Sequence, residues 1–141
     1  MLYCPIRKEV VAHLPEEAVR QNLLEKMVYQ GNFPSELLVV EKSLKELLPA
    51  GGKYPKRRVD ILSFFKKQDA LLPLLLIECK SVKLNAKAER QLVGYNYYLK
   101  APFIALANVN EFRLGRYCFK KKEWFFENRE AISYVDLIQK I

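Results

Sequence analysis

An apolar segment near the middle of the chain, ending abruptly in charged residues, most constrains the fold. Residues 74–77 are all Leu or Ile, and Glu78-Cys79-Lys80 follows directly. A strand that is apolar on both faces is typical of the centre of a sheet covered on both sides. We therefore predict a central strand at 74–80.

The flanking segments predict the helices and strands that complete such a sheet. An amphipathic helix is expected at 15–30, where Glu16 and Glu17 suit the positive end of the helix dipole. A second helix at 86–100 must end before Pro102. Further elements are predicted as strands at 36–43, 58–65, 103–107, 111–119 and 123–126, and as a helix at 131–139. Their order favours an α/β fold, a central mixed β-sheet flanked by α-helices on both faces.

Length and composition exclude several classes of protein. The 141 residues, half of them hydrophobic, suit one globular domain spanning 1–141 and not a disordered chain. The three cysteines form no C-x-x-C pair, and the single histidine, His13, is expected to be a polar loop residue, so a structural zinc site is disfavoured. No secretory signal is evident, and the longest apolar run, 71–77, is too short to span a bilayer. We expect a cytoplasmic protein without membrane contact.

Three ionisable residues form the candidate catalytic set. Glu78 and Lys80 are two apart in a strand, so they share a face at roughly 6.6 Å. If strands 58–65 and 74–80 pair as a hairpin, Asp60 lies beside Glu78. Neighbouring carboxylates repel unless a cation lies between them, and Mg²⁺, with Mn²⁺ as a substitute, is a suitable ion. Lys80 would then orient or deprotonate a water. The alternative is that these residues are solvated charges at a strand end.

Gln91 and Tyr95 add a second signal on the following helix. They are four residues apart and therefore share a helix face, from which both could reach a phosphate or a metal-bound water. The alternative is that Tyr95 belongs to the buried stripe of the helix.

Net charge favours an anionic partner such as nucleic acid. The 24 Lys and Arg residues exceed the 16 Asp and Glu residues, giving a charge of +8. The residues predicted to contact phosphates are Lys53, Lys56, Arg57, Arg58, Lys83 and Lys87, with Lys66 and Lys67 nearby. Such contacts carry no sequence readout, so we predict little base specificity. Lys120 to Lys122 are expected in a solvated hairpin turn, and Trp124 in the core or edge of the sheet.

Taken together, Asp60, Glu78-Cys79-Lys80 and Gln91-x-x-x-Tyr95 resemble the PD-(D/E)xK nuclease superfamily. The most similar member is the N-terminal nuclease domain of type I restriction enzyme motor subunits, here in stand-alone form. The resemblance covers about residues 14–117. Val59 replaces the proline of the motif's name. The chain has no Walker-type phosphate loop, so motor activity is not implied.

The resemblance implies a restriction-endonuclease-like fold and Mg²⁺-dependent cleavage of phosphodiester bonds. Asp60, Glu78 and the backbone carbonyl of Cys79 would bind the metal, and Lys80 would position the attacking water. Glu17, or else Glu16, matches an acid of the family's first helix that reaches the metal. Gln91 and Tyr95 match the family's auxiliary motif.

Three functions remain open at this point. The chain is a DNA nuclease, a non-catalytic nucleic-acid-binding module, or a subunit of a larger restriction or repair complex with a partner motor subunit. A homodimer is compatible with the first, because two cuts on a duplex usually need two sites.

Overall fold

The computed structural model describes residues 2–4, 6–7, 9–11 and 14–141; His13 lies outside them. In this part of the chain a six-stranded mixed sheet has the order β3-β4-β5-β6-β7-β8. Its strands are β3 (Leu38–Ser43), β4 (Arg58–Lys67), β5 (Ala70–Cys79), β6 (Phe103–Ala107), β7 (Phe112–Cys118) and β8 (Glu123–Asn128). β5 and β6 run parallel, and the other neighbours are antiparallel.

Helices cover both faces of this sheet. They are α1 (Pro15–Tyr29), α2 (Leu44–Leu47), α3 (Ala86–Leu99) and α4 (Tyr134–Gln139). α1 and α4 pack on one face, where Leu24 and Ile77 are fully buried in a shared core. α2 and α3 pack on the other, around Leu76 and Leu92. The predicted α/β fold class is confirmed, and this architecture is compatible with a restriction-endonuclease-like fold.

The structure differs from the sequence prediction at several short elements. A hairpin of β1 (Leu2–Cys4) and β2 (Glu9–Val11) was not predicted, because three-residue strands are too short for a periodic pattern. The predicted strand at 36–43 starts later, since Ser35–Leu37 form a 3₁₀ turn. Helix α2 was also missed, although Ser43 and Glu46 form a capping box whose spacing is visible in the sequence.

The β4–β5 hairpin positions the candidate site. Ile61 pairs with Ile77 in its register, so Asp60 and Glu78 come next along the two strands. The central strand β5 then ends at Cys79, and the Lys80 amide donates to the carbonyl of Ala107 over 2.8 Å. The expectation that the two strands pair as a hairpin is confirmed.

Candidate active site

Asp60 is held at the end of β5 by two hydrogen bonds. Its Oδ2 accepts from the Cys79 amide over 2.8 Å, and its Oδ1 accepts from Arg20 Nη2 over 2.6 Å. The side chain retains 19% exposure. The carboxylate is therefore fixed between α1 and β5 with one edge open to solvent.

A partly buried ionic cluster, with members on α1, on β3 and before α1, contacts Asp60. Arg20 bridges Asp60 and Glu17, and also lies 3.3 Å from Glu41. Arg7 pairs with Glu17 and, over 3.1 Å, with Glu41. Burial alone would lower the pKa of the Arg20 guanidinium, but the hydrogen bond to Asp60 and the charges of Asp60, Glu17 and Glu41 raise it. Arg20 therefore stays cationic and neutralises its neighbours.

Burial separates the two glutamates considered for α1. Glu17 is buried, whereas Glu16 is exposed to solvent. Only Glu17 therefore belongs to the ionic cluster, which it reaches through Arg7 and Arg20.

Glu78 has different neighbours from Asp60. Its Oε1 pairs with Arg57, and its Oε2 lies 3.5 Å from Lys80 Nζ. The Glu78 side chain is only 9% exposed, and Oε2 has no hydrogen-bond partner among the described residues. Glu78 and Lys80 thus lie together, as the strand spacing predicts, and Oε2 is within ion-pair distance of Lys80 without accepting a hydrogen bond.

Tyr95 joins α3 to the segment before β4. Its hydroxyl donates to the Arg57 carbonyl over 2.7 Å, and the Arg57 guanidinium lies 5.2 Å from its ring centroid. The ring is also part of the buried stripe of α3, and burial raises the pKa of its hydroxyl. Tyr95 therefore belongs to the buried stripe of α3, and its hydroxyl is engaged by the Arg57 carbonyl; contact with a phosphate or a metal-bound water stays a prediction. Gln91, one turn earlier, is exposed, and none of the hydrogen bonds between described residues joins it to this cluster.

The Cys79 side chain lies on the opposite face of β5 from Glu78. It packs with α1 in the core and is 2% exposed. Burial raises the pKa of its thiol well above the ordinary value, so the sulfur stays protonated and apolar. Only the backbone of Cys79 faces the chemistry of the site.

Exposed cations flank the carboxylates. The residues are Lys53, Lys56, Arg57 and Arg58 before and at the start of β4, and Lys83 and Lys87 after β5 and in the first turn of α3. Their position around the ends of β4 and β5 suits an anionic chain crossing this edge of the sheet.

The carboxylates of the site could supply a hard divalent ion with only a few of its ligands. Among the described residues no group of three or more His, Cys, Asp or Glu side chains is placed to hold a metal. Mg²⁺, however, commonly uses one or two carboxylates and completes its shell with water or phosphate. Asp60, near the start of β4, and the Oε2 of Glu78, which accepts no hydrogen bond from the described residues, fit that smaller requirement.

Three members of the ionic cluster around Asp60 were not predicted as site residues from the sequence: Arg7, Arg20 and Glu41. A usable signal existed for Arg20, which is four residues before Leu24 and seven before Met27 and so occupies the apolar stripe of α1. Glu41 gave no such signal, although its φ of 53° is unusual for a non-glycine residue within a strand.

Comparison with protein families decides where the chain belongs. The family described as "Type I restriction enzyme R protein N terminus (HSDR_N)" matches residues 15–128. The chain is a member of this family. The match confirms the resemblance seen in the sequence and extends from α1 to the end of β8. Comparison with curated proteins and with solved structures gave no match.

Membership in the type I restriction enzyme R protein family indicates a nuclease-related role, with interaction with DNA and with complex partners. The matched segment contains Glu17, Arg20, Asp60, Glu78 and Lys80.

In the described residues, no helix has the length and apolar character needed to cross a bilayer.

Proposed function

We propose that this chain is a Mg²⁺-dependent nuclease that hydrolyses phosphodiester bonds of DNA with little sequence specificity of its own. One observation carries the proposal: the β4–β5 hairpin places Asp60 on the Cys79 amide and puts Glu78 next to Lys80, so an acid of each strand and a lysine lie at one end of the hairpin. The Oε2 of Glu78 is buried, lies 3.5 Å from Lys80 Nζ and accepts no hydrogen bond from the described residues, so it is the oxygen that a metal ion would engage.

The proposed metal ligands are Asp60, Glu78 and the backbone carbonyl of Cys79, and Mn²⁺ would substitute for Mg²⁺. The ion would supply Lewis acidity toward a phosphoryl oxygen and a more acidic water. Lys80 Nζ, held near Glu78, would orient the attacking water and stabilise negative charge that develops on the phosphoryl oxygens.

Glu17 contributes to this site through Arg20. Its carboxylate is engaged by Arg7 and Arg20, and Arg20 in turn bonds Asp60. We assign Glu17 a positioning role in which it orients Arg20 and thereby Asp60. Tyr95 similarly positions Arg57 by bonding its carbonyl, and Gln91 would reach a bound phosphate from the exposed side of α3.

The exposed cations around the site would hold the sugar–phosphate backbone. Lys53, Lys56, Arg57, Arg58, Lys83 and Lys87 supply charge without contacting base edges. A homodimer or a partner motor subunit would be needed for coordinated cutting of both strands.

Cleavage assays on variants of the hairpin test the proposal. We expect Asp60→Asn, Glu78→Gln and Lys80→Ala each to lower the Mg²⁺-dependent cleavage of duplex or single-stranded DNA by about 10²–10⁴-fold. Asp69→Asn is the matched control, because this exposed carboxylate lies in the turn at the other end of the same hairpin. Circular dichroism verifies that each variant is folded. Wild-type rates in folded Lys80→Ala would refute the assigned chemistry.

A non-catalytic binding module, or a subunit of a larger restriction or repair complex, is the second candidate. The pairing of Asp60 with Arg20 and of Glu78 with Arg57 favours it, since protein cations already neutralise both carboxylates. Salt-sensitive DNA binding without cleavage in Mg²⁺ or Mn²⁺ would support this candidate over the nuclease.

A further inference from the structure

A groove of about 710 Å³ lies at the end of the sheet remote from Asp60 and Glu78. It is formed where α3 ends, β6 begins and the β7–β8 hairpin turns. Phe103, at its floor, and Ala107, beside Cys79, are the two ends of β6, so the groove and the candidate active site are separated by roughly 13 Å along the strand.

Aromatic side chains dominate the wall of the groove. Tyr97 is 73% exposed and Phe119 is 85% exposed. The Tyr117 ring packs edge-on against Phe119, at 5.0 Å between centroids, and against Trp124, at 5.8 Å. Large apolar rings left this exposed on a small protein are a frequent mark of a binding surface.

The charged side chains that line the groove are all cationic. Lys100, Arg116 and Lys140 line the groove, and none of the described residues lining it is Asp or Glu. The adjoining turn adds Lys120, Lys121 and Lys122, followed by the single acidic residue Glu123. A ligand that combines negative charge with flat, apolar faces would therefore be complementary to the groove.

We propose that this groove binds single-stranded nucleic acid, with bases stacked on Tyr97 and Phe119 and phosphates near Lys100, Arg116 and Lys140. Duplex DNA offers charge but keeps its base faces stacked inside, whereas a single strand offers both features. The inference rests on the proposed nuclease function and extends it. It adds a second binding site, distant from the cleavage site, that would hold one strand of the substrate.

The single tryptophan of the chain, Trp124, lies in this groove and reports its occupancy. The full chain is titrated with a short oligothymidylate in EDTA, which prevents metal-dependent cleavage, and tryptophan fluorescence is recorded. We expect saturable quenching that weakens as salt rises. The double variant Tyr97→Ala/Phe119→Ala should bind roughly 10-fold or more weakly. Tyr29→Ala, which removes a 71% exposed ring from α1, is the matched control and should bind as the wild type does.

Several outcomes would overturn the inference. They are no quenching, equal quenching by a duplex of the same length, unchanged affinity in the double variant, or protein self-association that the double variant abolishes. The two proposals can fail separately. Quenching without Mg²⁺-dependent cleavage would support nucleic-acid binding in the groove and refute the nuclease function. Cleavage without quenching would support the nuclease function and refute binding in the groove.

Discussion

Arg20 is the residue on which the geometry of the candidate site depends most. It is buried in α1 and pairs with Glu17 and Asp60, so it connects α1 to the candidate site on the β4–β5 hairpin. Removing one partner of a buried ion pair leaves the others without compensation. We expect Arg20→Ala to lower the free energy of unfolding by about 3–5 kcal/mol, measured by urea denaturation.

Arg90→Ala is the control for this experiment, because Arg90 is an exposed arginine in the middle of α3. It should change stability by less than about 0.5 kcal/mol. Equal stabilities for the two variants would show that the Arg20 cluster contributes nothing to the fold.

For individual residues of the site, the sequence could predict only contacts that strand or helix periodicity determines. Glu78 and Lys80 are two apart in one strand, and the hairpin register puts Asp60 and Glu78 at neighbouring positions on adjacent strands, so this arrangement was predictable. The pairing of Arg20 with Asp60 joins residues 40 positions apart on different elements. Nothing local encodes such a contact, since it depends on how α1 packs on the sheet.

The Tyr95 side chain hydrogen-bonds helix α3 to the residue that precedes β4. Tyr95→Phe removes the hydroxyl that donates to the Arg57 carbonyl but keeps the ring in the α3 core. We expect a loss of about 0.5–1.5 kcal/mol in the free energy of unfolding, together with weaker DNA binding because Arg57 is less well held. Tyr29→Phe, at an exposed position on α1, should change neither quantity. Unchanged DNA affinity in Tyr95→Phe would contradict the positioning role.

Elements with a clear pattern were predicted, although not always with the right bounds. The strand expected at 74–80 is β5, which begins four residues earlier, at Ala70; the prediction missed this start because Pro73 and the polar residues before it look like a turn in the sequence. The strand at 103–107 matches β6 in both bounds, because Pro102 precedes it and every residue of it is buried. The helix at 86–100 is one residue longer than α3, which ends at Leu99 with Lys100 in the left-handed conformation. β1, β2 and α2 have three or four residues each, too few for a hydrophobic period to be recognised.

For the whole molecule, the positive charge makes nucleic-acid affinity dependent on salt. We expect the logarithm of the association constant for duplex DNA to fall linearly with the logarithm of salt concentration. The double variant Lys53→Ala/Lys87→Ala should reduce this slope by about two, one for each lost phosphate contact. Lys26→Ala, an exposed lysine in the last turn of α1, is the control and should leave the slope unchanged. Equal slopes for all three proteins would place the DNA elsewhere on the surface.

The parallel pairing of β5 with β6 predicts the order in which parts of the sheet form during folding. β4 and β5 are joined by the two residues Gln68 and Asp69, so their hairpin needs only contacts that are local in the chain. β6 cannot pair with β5 until the chain between them, which contains α3, has crossed over the sheet. Contacts of greater sequence separation form more slowly because a longer loop must close first. The strand positions of Asp60 and Glu78 should therefore come together early during folding, and Tyr95 should reach the Arg57 carbonyl only when the crossover is complete.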